Sequence, residues 1–239
     1  MRRLSGRSDE GDSSDSPAFG KGVTLGGVCR EFVRHPSPWI IGTLFLGALV
    51  TRVLLGGWSP ADALVPLAMI ATFPLLEWVI HVFVLHWRPR RVGPLTIDPL
   101  LARKHRAHHH DPRDPVLDFI PAPVFVWLVP LLLAVTVVVL PRLEWGLTFL
   151  IGITALGLAY EWTHFLIHTD YRPKSALYKA TWRHHRDHHY RNEHYWFTVT
   201  TSGTADRLLG TGPDPSEVEK SPTAKRLHGL DVTPRRMKR

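Results

Sequence analysis

The stretch YEWTHFLIHTDYRPKSALYKATWRHHRDHHY, residues 160–190, carries two sets of histidines at the end of a long apolar run. One set is the pair His164 and His168, and the other is the triplet His185, His188 and His189. Residues three or four positions apart lie on one face of an α-helix. Because imidazole is a common ligand of transition metals, the spacing predicts helical metal-binding sets. We expect the three imidazoles of a triplet to point at one spot.

A second pair and a second triplet come earlier in the chain, again beginning at the end of an apolar run: His81, His86, His105, His108 and His109. On an ideal helix, His81 and His86 would lie about 140° apart. They can converge only by local unwinding near Pro89, or if His86 lies just past the helix end. The two pairs and two triplets supply ten imidazoles, which suits two metal ions with about five ligands each.

The other five histidines lie outside this pattern. We expect His110 and His184 to face away from the metals, because each merely extends a cluster. His194 is expected to support the ligands or to face the substrate, and His35 and His228 are expected on the surface.

Two carboxylates lie within a helical turn of the pairs. Glu77 precedes His81 by four positions, and Glu161 precedes His164 by three. An unpaired carboxylate inside an apolar run is costly, and one placed here can accept the outer N–H of a ligating imidazole. Further candidates for this supporting role are His194, Asp111, Asp114, Asp118 and Asp187.

Four apolar stretches, at residues 39–55, 63–87, 124–140 and 143–167, are long enough to cross a hydrocarbon core of about 30 Å as helices. The short links at residues 56–60 and 141–142 predict two antiparallel hairpins. A soluble bundle of four core helices is the alternative, but it explains neither the charge sorting described next nor the apolar run at residues 135–140.

Basic residues are sorted by their position relative to these stretches. Lys and Arg number 6 before the first stretch, 7 at residues 88–113 and 14 from Arg172 onward, whereas only Arg52 and Arg142 lie at the opposite ends. By the positive-inside rule, both termini, the middle loop and the histidine site should be cytoplasmic. The membrane would be the cell membrane in a bacterium or the endoplasmic reticulum in a eukaryote. The net charge of +8 therefore reflects topology, and we expect no nucleic-acid partner.

Polarity divides the chain into three parts. Residues 1–34 are expected to form a disordered polar tail, residues 35–210 a transmembrane and catalytic domain, and residues 211–239 a basic C-terminal tail. Residues 1–20 lack the apolar core of a signal peptide. The single cysteine, Cys29, excludes an internal disulfide, and thiolate ligation of a metal is not expected.

The order H-x4-H, H-x2-H-H, H-x3-H, H-x2-H-H resembles the fatty acid hydroxylase / sterol desaturase superfamily of membrane non-haem di-iron enzymes. The run Tyr160-Glu-x-x-His164-Phe-x-x-His168 and the tail Thr200-x5-Asp206-x3-Gly210-Thr211 are similar to the sphingolipid fatty acid 2-hydroxylase branch. The resemblance implies an all-α membrane protein with four transmembrane helices under a cytosolic helical cap, and it implies that the ten histidines bind the metals.

Two features depart from that branch. Residues Tyr195, Trp196 and Phe197 stand where a glycine-rich stretch is common, which leaves the substrate open. The sequence His35-Pro36-Ser37-Pro38 is not a haem-binding H-P-G-G. Electrons are therefore expected from a separate donor, a cytochrome b5-like protein or a ferredoxin with its reductase.

The sequence thus predicts an oxidoreductase that hydroxylates or desaturates a membrane lipid chain with O2 as co-substrate and two Fe ions as cofactor. Iron is favoured because a redox metal beside a lipid phase suits C–H oxidation, although zinc can replace it in a purified sample. Related alternatives are a sterol or carotenoid hydroxylase or desaturase. An alternative of another class is a non-enzymatic membrane protein that binds or transports metal, but its ligands would be expected near the bilayer midplane. The oligomeric state stays open.

Overall fold

The computed structural model describes residues 16–230, and the chain is largely helical. Its α-helices are α1 Leu25–Phe32, α2 Pro36–Leu55, α3 Leu64–Val79, α4 Leu100–His110, α5 Phe125–Ala134, α6 Leu143–His168, α7 Ala176–Tyr190 and α8 Thr204–Leu208. A small antiparallel hairpin, β1 Arg90–Val92 and β2 Leu95–Ile97, departs from the all-α prediction. Residues 1–15 and 231–239, which belong to the two expected tails, lie outside the described residues.

Four helical segments are long and apolar enough to span a membrane: Pro36–Leu55, Pro60–Leu85, Pro115–Val139 and Leu143–His168. In the most apolar 18-residue window of each segment, the mean hydropathy runs from 1.4 to 2.6 and no more than 22% of the residues are buried inside the protein. This confirms the prediction of a membrane protein. The third segment begins before the predicted residue 124, because two short 3-10 turns precede α5.

Helix α6 lies between the other spanning segments, and both α2 and α3 pack against it. The π-helical turn Val135–Val139, which follows α5, also contacts α6. Gly146 makes this contact possible, because a Cβ atom there would lie 1.9 Å from the carbonyl oxygen of Thr136. The two-hairpin arrangement itself stays a prediction.

The N-terminal segment is folded from residue 16 onward, so the expectation of disorder through residue 34 is wrong for its described part. Ala18, Phe19 and Val28 are buried in a cluster with Phe165 and Leu166 of α6. Apolar side chains spaced among the polar residues supply this buried face.

The C-terminal tail is also folded as far as it is described. Ala224 and Leu227 are 4% and 1% exposed, and the short 3-10 turn Leu227–Gly229 packs on α4. Composition alone predicts a basic tail, but backbone hydrogen bonds hold the segment in place. The amide of Ser221 donates to the carbonyl of Arg191 at 2.8 Å, and that of Trp196 donates to the carbonyl of Thr211 at 2.9 Å.

Candidate metal centre

The ten predicted ligand histidines come together in two groups of five. The first group is His81, His86, His105, His109 and His188, and the second group is His108, His164, His168, His185 and His189. Within each group, one ring nitrogen from every histidine lies within 4.8 Å of the others. Each group could therefore hold one metal ion.

The two groups divide each triplet, so the expectation that a triplet points at one spot is wrong. His105 and His109 of α4 face the first group, whereas His108 faces the second. In α7 the middle histidine crosses over in the same way, with His188 in the first group. Helix geometry explains the division, because positions i and i+4 differ by about 40° while adjacent positions differ by about 100°. Each triplet thus contributes ligands to both groups.

A π-helical turn brings His81 and His86 together. The turn spans Ile80–Leu85, and the amide of His86 donates to the carbonyl of His81 at 2.9 Å. A bond across five residues widens the helix, so that residue i+5 returns to the face of residue i. Two ways for His81 and His86 to converge were predicted, and in the structure His86 lies just past the helix end. The unwinding occurs before His86 and not near Pro89.

The facing ring nitrogens are spaced as ligands of one ion would be. In the first group, Nε2 of His105 lies 3.1 Å from Nε2 of His81 and 3.2 Å from Nε2 of His109. In the second group, Nε2 of His185 lies 3.1 Å from that of His168 and 3.0 Å from that of His189. Two nitrogens bound at about 2.1 Å to one metal, at a right angle, are about 3.0 Å apart.

Backbone carbonyls fix the tautomer of three ligands. Nδ1 of His109, His164 and His188 lies 2.9, 3.1 and 2.7 Å from the carbonyl oxygens of Ala224, Asp118 and Tyr195. A carbonyl only accepts hydrogen bonds, so each Nδ1 carries the proton and donates. Each Nε2 then presents a bare lone pair to the centre, which is the state a metal ligand needs.

Protonation of the rings does not supply positive charge at the centre of either group. Burial lowers the pKa of His105, His185 and His188 well below the usual value, and it lowers that of His109 to about 4. These imidazoles are therefore neutral at physiological pH. Where two bare Nε2 atoms face each other, their lone pairs repel unless a cation lies between them. The donor set fits a metal ion at each group, with all-imidazole ligation that iron, zinc and copper accept.

Asp118, one of the further candidates, supports the second group at two points. Its backbone carbonyl accepts from His164, and its buried Oδ1 lies 3.1 Å from Nδ1 of His108, though not aligned for a hydrogen bond. A carboxylate beside an imidazole raises the basicity of that ligand.

Glu77 and Glu161 are buried as expected, but the expected contact with an imidazole is wrong for both. Oε1 of Glu77 accepts from the amides of Val199 and Thr200 at 3.1 and 2.7 Å, and Oε2 accepts from the hydroxyl of Thr201 at 2.9 Å. The hydrogen bonds to residues 199–201 thus offset the cost of burying the Glu77 carboxylate.

Glu161 ties α6 to the chain that enters two other spans. Its Oε1 accepts from the hydroxyl of Ser37 and from the amide of Ile120, the latter at 2.9 Å. Ser37 lies in the first turn of α2. Glu161 therefore joins α6 to the start of α2 and to the chain that precedes α5.

Asp187 and His194 also lie away from the ligands' outer nitrogens. Asp187 is half-buried beside Arg191, and burial raises its pKa. The side chain of His194 is 65% exposed, and its Nε2 lies 3.5 Å from Oε1 of the buried Glu193.

The remaining histidines follow the predictions in part. His110 is exposed, and His184 faces Asp206 at 2.9 Å, so both lie outside the two groups. His35 is not a surface residue, because its side chain is only 12% exposed and its ring stacks on Phe119 at 4.1 Å. His228 is not one either, since its Nε2 donates to the carbonyl of His86 at 2.9 Å.

The segment that departs from the family pattern closes one side of the first group. The ring of Phe197 lies 5.4 Å from those of His86 and His188, and it is 6% exposed. Asp206 holds the segment, because its carboxylate accepts from the amides of Phe197 and Thr198, both at 2.9 Å. The sequence alone did not indicate that residues 195–197 lie beside the ligands.

Comparison with known proteins agrees with this geometry. The chain is 28% identical to the dihydroceramide fatty acyl 2-hydroxylase FAH2 of Arabidopsis thaliana over 188 residues, which cover 77% of this chain and 76% of that protein. No solved structure matches. The family model described as fatty acid hydroxylase matches residues 66–211, which include all ten clustered histidines. The chain belongs to the fatty acid hydroxylase family, an oxidoreductase family that modifies lipids.

Proposed function

We propose that this protein is a membrane di-iron monooxygenase in which the ten clustered histidines bind two Fe ions. The substrate is the acyl chain of a membrane lipid. The observation that carries the proposal is the pair of five-histidine groups at the ends of two apolar helices, α3 and α6. A buried all-imidazole dimetal site at this place fits oxidation of a chain that enters from the lipid phase.

Hydroxylation replaces one C–H bond by C–OH, consumes two external electrons and two protons, and releases the second oxygen atom of O2 as water. Side chains alone lack the redox chemistry for this reaction, and the iron pair supplies it when bound. The chain itself holds the ligands in place and excludes bulk water. Nine of the ten histidines are 6% exposed or less, and Phe197 covers His86, the partly exposed one.

The substrate in the relative's name suggests the substrate class of this chain. That name describes hydroxylation at position 2 of a fatty acyl group in dihydroceramide. We infer that this chain acts on an amide-linked or ester-linked acyl group of a membrane lipid, near the head group. Sterols and carotenoids are the alternatives within the superfamily.

The orientation follows from charge. Arg52 and Arg142, the cations at the opposite ends of the spans, each have a carboxylate partner. Arg52 is fully buried with its Nη2 atom 3.2 Å from Oδ2 of Asp62, and Nε of Arg142 lies 3.6 Å from Oε2 of Glu144. The other 27 Lys and Arg residues precede the first span, follow the second or follow the fourth, and this excess on the histidine side supports a cytoplasmic centre. A separate cytosolic-side protein, of the cytochrome b5 or ferredoxin type, then supplies the electrons.

Lipid mass spectrometry tests the function. Host cells that express the wild type should accumulate a lipid 16 Da heavier in its acyl chain, with 18O incorporated from 18O2. His164→Ala should abolish this product, because it removes a ligand of the second group. His110→Ala is the matched control, since His110 lies on α4 but outside both groups and should leave the product unchanged. Wild-type protein that binds metal but yields no altered lipid would instead favour the non-enzymatic metal protein.

A further inference from the structure

Different parts of the chain hold the two histidine groups in place. The first group is contacted by residues at the C-terminal end of the described chain. Residues 221–229, which we name the closing segment, follow the region matched by the family model. Two of its residues contact ligands of the first group. Ala224 accepts the Nδ1 proton of His109 at 2.9 Å, and His228 donates to the carbonyl of His86 at 2.9 Å.

His86 needs such a partner because of its place in the helix. It ends the π-helical turn, where the last carbonyls have no partner within the helix. A carbonyl accepts only, so the bond from His228 requires a proton on Nε2 of that ring. This hydrogen bond fixes the backbone of His86, the ligand that lies five residues after His81.

The backbone of the closing segment is shaped for this contact. His228 has a φ of +63°, in the left-handed region that residues other than glycine seldom occupy. Leu227 beside it is 1% exposed and anchors the turn. At the start of the segment, the hydroxyl of Thr223 donates to Glu193, which is fully buried. A strained residue directly after a buried anchor indicates that the position of the ring is important.

The second group has a different support. Asp118 contacts His108 and His164 there, and Asp118 enters the fold at the start of the third span. The first group thus depends on neutral hydrogen-bonding groups of the closing segment. The second group depends on Asp118 at the start of the third span.

We propose that the closing segment retains the metal of the first group, and that His228 is the residue that positions His86. Metal at the second group is held independently of this segment. The inference rests on the proposed metal centre and adds that the two sites lose their metals separately. Partners of an imidazole ligand typically change metal affinity by about 10–100-fold.

Metal release measures this directly. Purified protein is loaded with iron, bound metal per chain is determined by mass spectrometry, and release to a chelator is followed over time. His228→Ala should release one of its two metals about tenfold faster than the wild type does. His228→Asn should restore the slow release, because asparagine tolerates a positive φ and its amide can donate. His110→Ala is the control, since His110 is exposed and lies outside both groups.

Double variants locate the effect. In His164→Ala protein, whose remaining metal is in the first group, adding His228→Ala should accelerate release. In His188→Ala protein, whose remaining metal is in the second group, the same addition should change nothing. Equal acceleration in both backgrounds, or none in either, would overturn the role of the closing segment. A wild-type chain that binds no metal would instead contradict the proposed metal centre itself.

Discussion

Nε2 of His188 lies 3.2 Å from Nε2 of His86, although the residues are 102 positions apart and the neighbours of His188 in its triplet serve the other group. His108 crosses in the opposite direction, to His164 and His168. Each group thus takes four imidazoles from one half of the histidine pattern and one from the other half. Neither group is complete until α4 and α7 lie side by side.

This crossing predicts which double variants are equivalent to single ones. His86→Ala and His188→Ala both act on the first group, so the double variant should lose about one metal per chain. His168→Ala with His188→Ala removes ligands from both groups and should lose both metals. Elemental analysis of purified protein measures the content. The reverse pattern would restore the simpler view in which each triplet serves a single site.

Asp118→Asn should weaken the second group. The substitution keeps the backbone carbonyl that accepts from His164, but it replaces the carboxyl group whose Oδ1 lies 3.1 Å from Nδ1 of His108. We expect metal affinity at that group to fall by about tenfold or more, measured by chelator competition. Asp114→Asn is the control, because its carboxylate is exposed and caps a short turn. Equal losses in the two variants would point to a general destabilisation.

Glu77→Ala should destabilise the fold and not the ligands directly. The substitution leaves the buried amides of Val199 and Thr200 without their acceptor. We expect the free energy of unfolding to fall by about 2–4 kcal/mol, because unsatisfied buried donors cost about 1–3 kcal/mol each. The measurement is the Tm of detergent-solubilised protein, with Glu219→Ala on the exposed surface as the control. An unchanged Tm would show that water replaces the carboxylate.

Asp206 predicts an acid-sensitive contribution to stability. Burial alone would raise its pKa, but hydrogen bonds from His184 and Thr198 outweigh it and lower the pKa from 3.8 to about 2. The unfolded chain therefore binds more protons between these values, and the free energy of unfolding falls as the pH falls through them. The stabilisation is fully present above pH 3.8 and amounts to roughly 2 kcal/mol.

Asp206→Asn isolates this contribution. The variant should have a lower Tm than the wild type at neutral pH, and the gap should narrow as the pH falls from about 4 to about 2. Glu219→Gln, a substitution on the exposed surface, serves as the comparison. A gap for Asp206→Asn that is independent of pH would contradict the lowered pKa.

The sequence by itself determined the parts that depend on local periodicity. Runs of apolar residues long enough to cross a bilayer give the four spanning segments, because backbone groups in lipid must be satisfied within a helix. The ten histidines were identifiable because their spacing places them on helix faces at the ends of those runs. The family resemblance in the histidine order was readable for the same reason.

Only the tertiary structure decided how those residues are shared. Which site His108 or His188 serves depends on how α4 and α7 lie against each other, and a pattern within one helix does not contain that information. The partners of Glu77, Glu161 and His228 come from segments 41 to 142 positions away, so neighbouring residues gave no sign of them. The folded ends of the chain were missed because a few buried side chains and backbone hydrogen bonds, not composition, hold them on the core.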